Sequence, residues 1–363
     1  MSRQPFTPFL PQRDPNKKKF PTLISVHSAL LIFIALTFGI GFLLAFTAMI
    51  VYPDLLYDAD HLADMLYSNF GLYMCNIIFT QLLCMFPAAL IALKMSGSDP
   101  LQAARLKKGV NPIQLLLLCV VGVGCVIFAN GVNDVLLMGM ERLGHTPVAS
   151  LGFQPANIPQ LIFSTLLIAG LPAICEEFLF RGVVMRAYER FSPAMAVLMS
   201  ALLFGLMHGN VDQLFFAFLL GIVLAVVVLV TDSIWASAFI HFFNNAAASV
   251  LNYFLASSGE AGAATASERL IGNGVYICVG GVILAAGLAV FIAYTRKRNR
   301  KKYGRPLSEE LSSDFAPTIA EKKYDYLFQR EITLTPSGKS PAATWITFAA
   351  FVLYSLFNCL ITW

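Results

Sequence analysis

Residues 159–185 read PQLIFSTLLIAGLPAICEEFLFRGVVM, an apolar stretch that contains two adjacent glutamates and one arginine. A helix needs about 20 apolar residues to cross the hydrocarbon core of a bilayer. The stretch therefore predicts a transmembrane helix. A charged side chain at the centre of such a helix costs about 3 kcal/mol, so its three charged residues are candidates for function.

The rest of the chain has the same apolar character. Hydrophobic residues make up 57% of the sequence and charged residues 13%, where soluble domains have about 25% charged residues. The mean hydropathy is +0.70. Nine apolar blocks lie near 26–51, 69–93, 113–138, 159–185, 194–208, 213–230, 233–255, 271–295 and 343–362. We expect an all-α fold, a polytopic membrane helical bundle of about eight core spans plus a ninth C-terminal span.

Basic residues predict the orientation of these spans. They precede the first block and fall in alternate connections, which include Arg105, Lys107 and Lys108 before the third block. The intervening connection 52–68 has none, and 256–270 holds only Arg269. Nine spans with a cytoplasmic N-terminus place every basic cluster on the cytoplasmic side. The sequence therefore predicts a multi-pass protein of the cell membrane.

The predicted organisation has four parts: a cytoplasmic tail (1–25), a membrane core (26–295), a basic and polar insert (296–340) and a C-terminal span (341–363). The insert could serve as a tether, a membrane-surface segment or a short folded unit. The basic runs flank membrane spans, so we expect contacts with lipid and no nucleic-acid partner. The sequence carries no signal for an oligomeric state.

The charged residues of the fourth span are spaced as a helix requires. Glu177 and Arg181 are four residues apart with the acid first, which favours an ion pair within the helix. Glu176 points about 100° away from Glu177 around the helix axis. One glutamate thus has a counter-ion in its own helix, whereas Glu176 is left for another role.

Polar residues of the fifth and seventh spans are predicted to reach a similar depth. His208 lies fifteen residues after the turn at Pro193, and Glu176 lies sixteen residues before Ser192. Phe204 shares a helix face with His208, four residues away. In the seventh span His241 and Asn245 share a face, whereas Asn244 is expected to point to one side.

These residues include the components of a hydrolase. A glutamate and a histidine can hold and deprotonate a water molecule. A second histidine and an amide can donate hydrogen bonds to a developing oxyanion. Such a site needs neither a serine nor a cysteine nucleophile.

The motifs EExxxR, FxxxH and HxxxN occur in this order on separate spans. They resemble the CAAX proteases and bacteriocin-processing enzymes, also called the ABI family, whose eukaryotic members are the type II CAAX prenyl endopeptidases. The resemblance covers about residues 160–250. It implies a helical membrane core of eight spans around a cavity that opens to the cytoplasm and the lipid.

The resemblance also implies a role for each residue. Glu176 would act with His208 to activate water, and His241 with Asn245 would stabilise the oxyanion. Glu177 and Arg181 would support the site, and Phe204 would pack beside His208. The implied activity is that of an intramembrane glutamic endopeptidase that needs no cofactor and no metal. Its implied substrates are membrane-associated peptides or proteins, and prenylated CAAX proteins are one class of them.

Three alternatives remain open at this point. Glu176, His208 and His241 are types of residue that bind zinc, although no HExxH motif is present and the arginine would lie beside the metal. A membrane scaffold or a bacteriocin-immunity protein would need no catalysis. A transporter could use Asn133 and Asp134, polar residues of the third span for which the hydrolase has no role.

Overall fold

The computed structural model describes residues 20–51, 69–146, 153–258, 265–303, 322–325, 330–333 and 342–361. Within these ranges nine apolar helices form, one for each predicted span: α1 (Leu23–Val51), α2 (Phe70–Ser96), α3 (Pro112–Arg142), α4 (Ile158–Tyr188), α5 (Pro193–Met207), α6 (Val211–Thr231), α7 (Ile234–Ser258), α8 (Ala266–Tyr303) and α9 (Ala342–Ile361). Seven are long and apolar enough to cross a membrane, and α5 and α9 are shorter apolar helices. The predicted polytopic helical bundle is confirmed.

Helices α3, α4 and α5 begin at polar caps that the sequence supplies. The side chains of Asn111, Asn157 and Ser192 each accept a hydrogen bond from a backbone amide three residues later. Each cap is followed by a proline in the first turn, where the missing amide hydrogen costs nothing. Such caps satisfy amides that have no partner within the helix. They fix where each span begins.

Close packing between α3 and α8 depends on small residues. A side chain at Gly124 would collide with the backbone of α8 at Leu284, and one at Gly280 would collide with the backbone of α3 at Phe128. Small residues allow two membrane helices to approach until their backbones touch. A side chain at Gly205 of α5 would likewise crowd the backbone of α6 at Leu214, and α4 packs on α7.

The last helix belongs to the bundle although a long polar segment separates it in sequence. His27 of α1 donates from Nδ1 to the carbonyl oxygen of Thr344 at 3.0 Å, and its Nε2 lies 2.8 Å from the hydroxyl of Tyr188. Phe38 and Tyr354 are in edge contact further along the two helices. Helix α9 thus packs on α1, beside the end of α4.

The nine helices alternate in direction, so the bundle has two chemically different ends. One end holds the first residues of α1, α3, α5, α7 and α9 and the last residues of α2, α4, α6 and α8. Arg190 donates there to the carbonyl oxygen of Pro21 at 2.7 Å, and Arg298 donates to Gln114 Oε1 at 2.9 Å. We call this the basic end and the other the opposite end. The clusters of basic residues therefore share one end, as predicted, whereas Arg142 and Arg269 lie at the opposite end.

A buried charge cluster ties three connections together at the basic end. Arg105 lies 2.5 Å from Glu189 and 2.8 Å from Asp232, and Lys108 lies 2.8 Å from the other oxygen of Asp232. Burial alone would lower the pKa of Arg105, but the two carboxylates outweigh it and raise that pKa above its ordinary value. Burial would raise the pKa of Asp232, yet Arg105 and other nearby cations hold it below its usual range.

The described part of the predicted insert 296–340 contains two kinds of structure. Helix α8 continues to Tyr303, beyond the predicted end at residue 295. Basic side chains in a last helical turn interact favourably with the helix dipole, which explains the longer helix. Strands β1 (Lys322–Asp325) and β2 (Arg330–Thr333) pair in antiparallel fashion, with Lys322 opposite Thr333.

Candidate active site

Helix α4 changes its geometry directly after the two adjacent glutamates. The α-helix ends at Glu177, and residues Phe178–Val184 form a wider π-helical segment. A second π-helical segment, Thr80–Met85, lies in α2. Such segments occur frequently at functional sites because the extra residue redirects the side chains around it. Both segments contribute a side chain to the polar cluster described next.

Glu177 is the centre of a buried charge network. Arg181 Nη1 donates to Glu177 Oε1 at 2.9 Å, so the predicted ion pair forms. The same oxygen lies 3.1 Å from His241 Nδ1. Arg181 Nη2 donates to the carbonyl oxygen of Gly221 at 3.1 Å, which links α4 to α6. Both members of the ion pair are fully buried, and these contacts offset part of the cost of removing each charge from water.

Glu176 faces a different direction from its neighbour. Its Oε1 accepts a hydrogen bond from Gln81 Nε2 at 2.9 Å, and its Oε2 lies 3.8 Å from His241 Nε2. Glu176 also lines a cavity within the bundle. His241 therefore lies between the two glutamates, with one ring nitrogen towards each. Sequence analysis did not find Gln81, although an amide inside an apolar span is itself a signal of function.

Phe204 separates the two imidazole rings. Its ring is in edge contact with His208 at 5.0 Å and with His241 at 5.6 Å between ring centres. The guanidinium of Arg181 lies 4.5 Å from the centre of the same ring. His208 donates from Nδ1 to the carbonyl oxygen of Phe204 at 2.9 Å. The imidazole of His241 lies 3.8 Å from Glu176. His208 lines the same cavity.

Two neighbouring amides of α7 line the cavity. Asn244 Nδ2 donates to Asn245 Oδ1 at 3.3 Å, which fixes the orientation of the Asn245 amide. The expectation that Asn244 points to one side is wrong, because Asn244 lines the cavity together with His241 and Asn245. Two adjacent helix positions differ by only about 100°, and a wide cavity accommodates both.

The cavity has a volume of about 720 Å³. It lies between the last turn of α5, the first half of α6, the middle of α4 and the part of α7 from His241 to Asn252. Its polar lining residues are Gln81, Asn130, Asn133, Gln154, Glu176, His208, Asp212, Gln213, His241, Asn244, Asn245, Ser249 and Asn252. A cavity that is largely apolar with a few convergent polar groups is typical of a ligand or active site.

The polar residues of α3 that a transporter could use have structural partners. Asn133 Nδ2 donates to the carbonyl oxygen of Asp212 at 3.0 Å, and Asn133 Oδ1 accepts from the amide of Phe216 at 3.0 Å. Asn133 thus joins α3 to the first turns of α6. Asp134 accepts from Arg269 at 2.8 Å and also from Asn273, which joins α3 to α8.

The described ranges contain no group of three or more His, Cys, Asp and Glu side chains arranged to hold a metal ion. Glu176, His208 and His241 all line the cavity, but Phe204 lies between the two imidazoles. His241 Nδ1 already contacts Glu177. The geometry is that of separate hydrogen-bonding groups around a cavity.

A protein-family model described as type II CAAX prenyl endopeptidase Rce1-like matches residues 158–247. The matched segment begins with α4 and ends within α7, and it includes Glu176, His208, His241 and Asn245. The family resemblance seen in the three motifs is confirmed over this segment. Comparisons with curated proteins and with solved structures give no match. The family match and the seven long apolar helices support a multi-pass membrane protein with a protease-type segment.

Proposed function

We propose that this chain is an intramembrane glutamic endopeptidase that hydrolyses peptide bonds of membrane-associated substrates. One observation carries the proposal. Glu176, His208, His241 and Asn245 come from three helices within the segment that matches an endopeptidase family, and all four line one cavity inside the bundle. Groups that are costly to place in a membrane are thus gathered at a single point.

Water activation is assigned to Glu176 and His208. A carbonyl oxygen only accepts hydrogen bonds, so the contact with Phe204 O places a proton on His208 Nδ1. The neutral ring then has its lone pair on Nε2, available to a water molecule in the cavity. In the proposed step Glu176 takes a proton from this water, and the oxygen attacks the carbonyl carbon of the substrate.

Stabilisation of the oxyanion is assigned to His241 and Asn245. The Oδ1 of Asn245 accepts from Asn244, so the group that Asn245 offers to an oxyanion is its Nδ2 donor. His241 contacts Glu177 through Nδ1, so its Nε2 donates to an oxyanion when the ring carries both protons. The carboxylates of Glu177 and Glu176 face that positive charge from two sides.

Collapse of the tetrahedral intermediate completes the proposed reaction. The carbon–nitrogen bond breaks, and the proton that Glu176 took from water passes to the leaving amine. One product keeps the new carboxyl group and the other a free amine. Glu177, Arg181 and Phe204 touch no reacting atom in this proposal; they hold His241 and His208 in position.

In this proposal the protein lies in a cell membrane. Lipid surrounds the bundle, the basic end lies on the cytoplasmic side, and the N-terminus is cytoplasmic. A zinc-dependent protease and a non-catalytic scaffold or immunity protein are the competing functions. The experiment below separates all three.

The test is hydrolysis of a library of membrane-anchored peptides, including a prenylated CAAX peptide, by full-length protein purified in detergent. Wild type, Glu176→Gln and His208→Ala are compared with two matched variants outside the site, Glu141→Gln and His27→Ala. Each is assayed with and without a chelator. We expect activity that survives the chelator, is lost in the two site variants and persists in the two controls.

Other outcomes assign a different function. Activity that disappears with the chelator and returns with zinc indicates a metalloprotease. Full activity in Glu176→Gln contradicts the assignment of that residue. No cleavage of any peptide by folded wild type supports the scaffold or immunity function.

A further inference from the structure

Helix α9 has no role in the reaction proposed above. The family match ends at residue 247 and the motif resemblance implies eight spans, whereas α9 begins at Ala342. Yet α9 packs on α1 and also on α5, the helix that ends at His208. The ninth helix therefore touches one of the three helices that carry the proposed site.

One face of α9 is fixed against the bundle. Phe351, near the middle of the helix, is 1% exposed and belongs to the main apolar core. Tyr354 is in edge contact with Phe38 of α1, at 5.3 Å between ring centres. Leu353 and Phe357 are exposed on another face, where lipid is expected. These contacts set the rotation of α9 about its axis and so the direction of its last residues.

The last turns of α9 contact the connection between α5 and α6. Asn358 lies seven residues after Phe351 and so shares its helix face. A side chain at Gly209 would lie 3.2 Å from Cβ of Asn358 and 3.3 Å from its Nδ2. Gly209 also has a φ of +58°, a left-handed conformation that glycine adopts without strain. Asn358 thus covers the backbone of the residue that directly follows His208.

A second contact of α9 lies on the far side of the same turn. Cys359 packs in a small apolar cluster with Val211, the first residue of α6, and Leu137 of α3. All three side chains of this cluster are buried. The end of α9 therefore contacts the chain both where α5 has ended and where α6 begins.

Hydrogen bonds within the turn determine its shape but not its place in the bundle. The backbone amides of His208 and Gly209 donate to carbonyl oxygens of α5 at 3.2 and 3.1 Å. These bonds move together with α5, so contacts with other helices hold the turn relative to the glutamates of α4. Phe204 provides such contacts deeper in the bundle. At the turn itself, Asn133 of α3 bonds to the start of α6, and Asn358 of α9 packs on Gly209.

We propose that α9 holds the turn that carries His208 in place, and that Asn358 is a positioning residue for the reaction. The importance of this turn for catalysis rests on the endopeptidase function proposed above, in which His208 orients the attacking water. A misplacement of about 1 Å can lower the rate of a reaction by about 100-fold, even when its cause is remote from the reacting atoms. Asn358 acts through Gly209 and touches no reacting atom itself.

The kinetic test uses substitutions of Asn358 in the full-length protein. Asn358→Ala removes most of the side chain that covers Gly209, so we expect kcat to fall by about tenfold with little change in KM, because His208 contacts water and not the substrate. Asn358→Leu keeps the branched outline and should recover most of the loss. Phe357→Ala, on the exposed face of the same helix, is the matched control and should behave as wild type. An unchanged kcat in Asn358→Ala, or an equal loss in Asn358→Leu, overturns the positioning role.

Amide hydrogen exchange of the same proteins tests the hold on the turn without a substrate. In Asn358→Ala we expect the amides of His208 and Gly209 to exchange at least about tenfold faster, while those of α8 exchange as in wild type. No change at the turn, or faster exchange throughout the bundle, overturns the proposal. If folded wild type cleaves no peptide, the proposed function fails, and the exchange experiment still decides whether α9 holds the turn.

Discussion

Gln81 donates a hydrogen bond to Glu176 at 2.9 Å, although 95 residues separate them in sequence. The amide fixes one carboxylate oxygen of Glu176 and leaves the other towards His241 and the cavity. A hydrogen bond to a charged group contributes about 1.5–3 kcal/mol. Gln81 is therefore expected to position the carboxylate that we propose as the base.

Replacing Gln81 tests this positioning. Gln81→Leu keeps the volume and removes the donor, so we expect kcat to fall by about tenfold with little change in KM, because the hydrogen bond orients the base without touching substrate. Gln81→Asn, with a shorter side chain, should recover only part of the loss. An unchanged kcat in a folded Gln81→Leu protein would show that the contact has no part in the reaction.

Substitutions of the two adjacent glutamates are expected to have different effects. Glu176→Gln should lower kcat by more than about 10³-fold, because it removes the proposed base, while the thermal midpoint changes little. Glu177→Gln should lower stability by about 3–5 kcal/mol, because it leaves Arg181 buried without its counter-ion. Measuring kcat and the thermal midpoint on both proteins separates the roles. Equal loss of stability in the two would contradict them.

The amide pair of α7 gives a third prediction. Asn245→Ala removes the proposed oxyanion donor and should lower kcat by about 10²–10³-fold with KM nearly unchanged. Asn244→Ala removes only the contact that orients Asn245, so a smaller loss of about tenfold is expected. Steady-state kinetics on the two variants provide the measurement. A larger loss for Asn244→Ala than for Asn245→Ala would reverse the assignment.

Sequence patterns within single helices were sufficient to predict much of the fold and part of the candidate site. The apolar blocks predicted all nine helices, and the spacing of Glu177 and Arg181 predicted their ion pair. Alternating basic connections predicted that the clusters of basic residues share one end. Each of these depends on local periodicity or on the order of elements along the chain, which the sequence contains directly.

Contacts that depend on rotation about a helix axis could not be predicted in the same way. Counting residues from the turn at Pro193 gives the depth of Glu176 and His208 but not the direction that each side chain faces. The structure places Nε2 of His241 3.8 Å from Oε2 of Glu176, a contact that this count does not predict. The π-helical segments also shift side-chain directions, which hides Gln81 from a pattern based on 3.6 residues per turn.

The charge cluster at the basic end gives a prediction about pH. Asp232 has a backbone φ of +53°, a left-handed conformation that asparagine also tolerates, so Asp232→Asn removes the charge without straining the chain. Because Asp232 is nearly buried against Arg105 and Lys108, we expect a loss of about 3 kcal/mol at neutral pH.

The size of that loss should depend on pH in a defined direction. The pKa of Asp232 is lowered in the folded protein, so its stabilisation is fully present above its ordinary value of 3.8 and is lost as the pH falls through the folded-state pKa. The difference in thermal midpoint between wild type and Asp232→Asn should therefore be largest near pH 7 and shrink in strong acid. Thermal unfolding in detergent across that range provides the measurement, with Asp99→Asn as an exposed control. A difference that grows with acidity would show that the carboxylate does not stabilise the basic end through its charge.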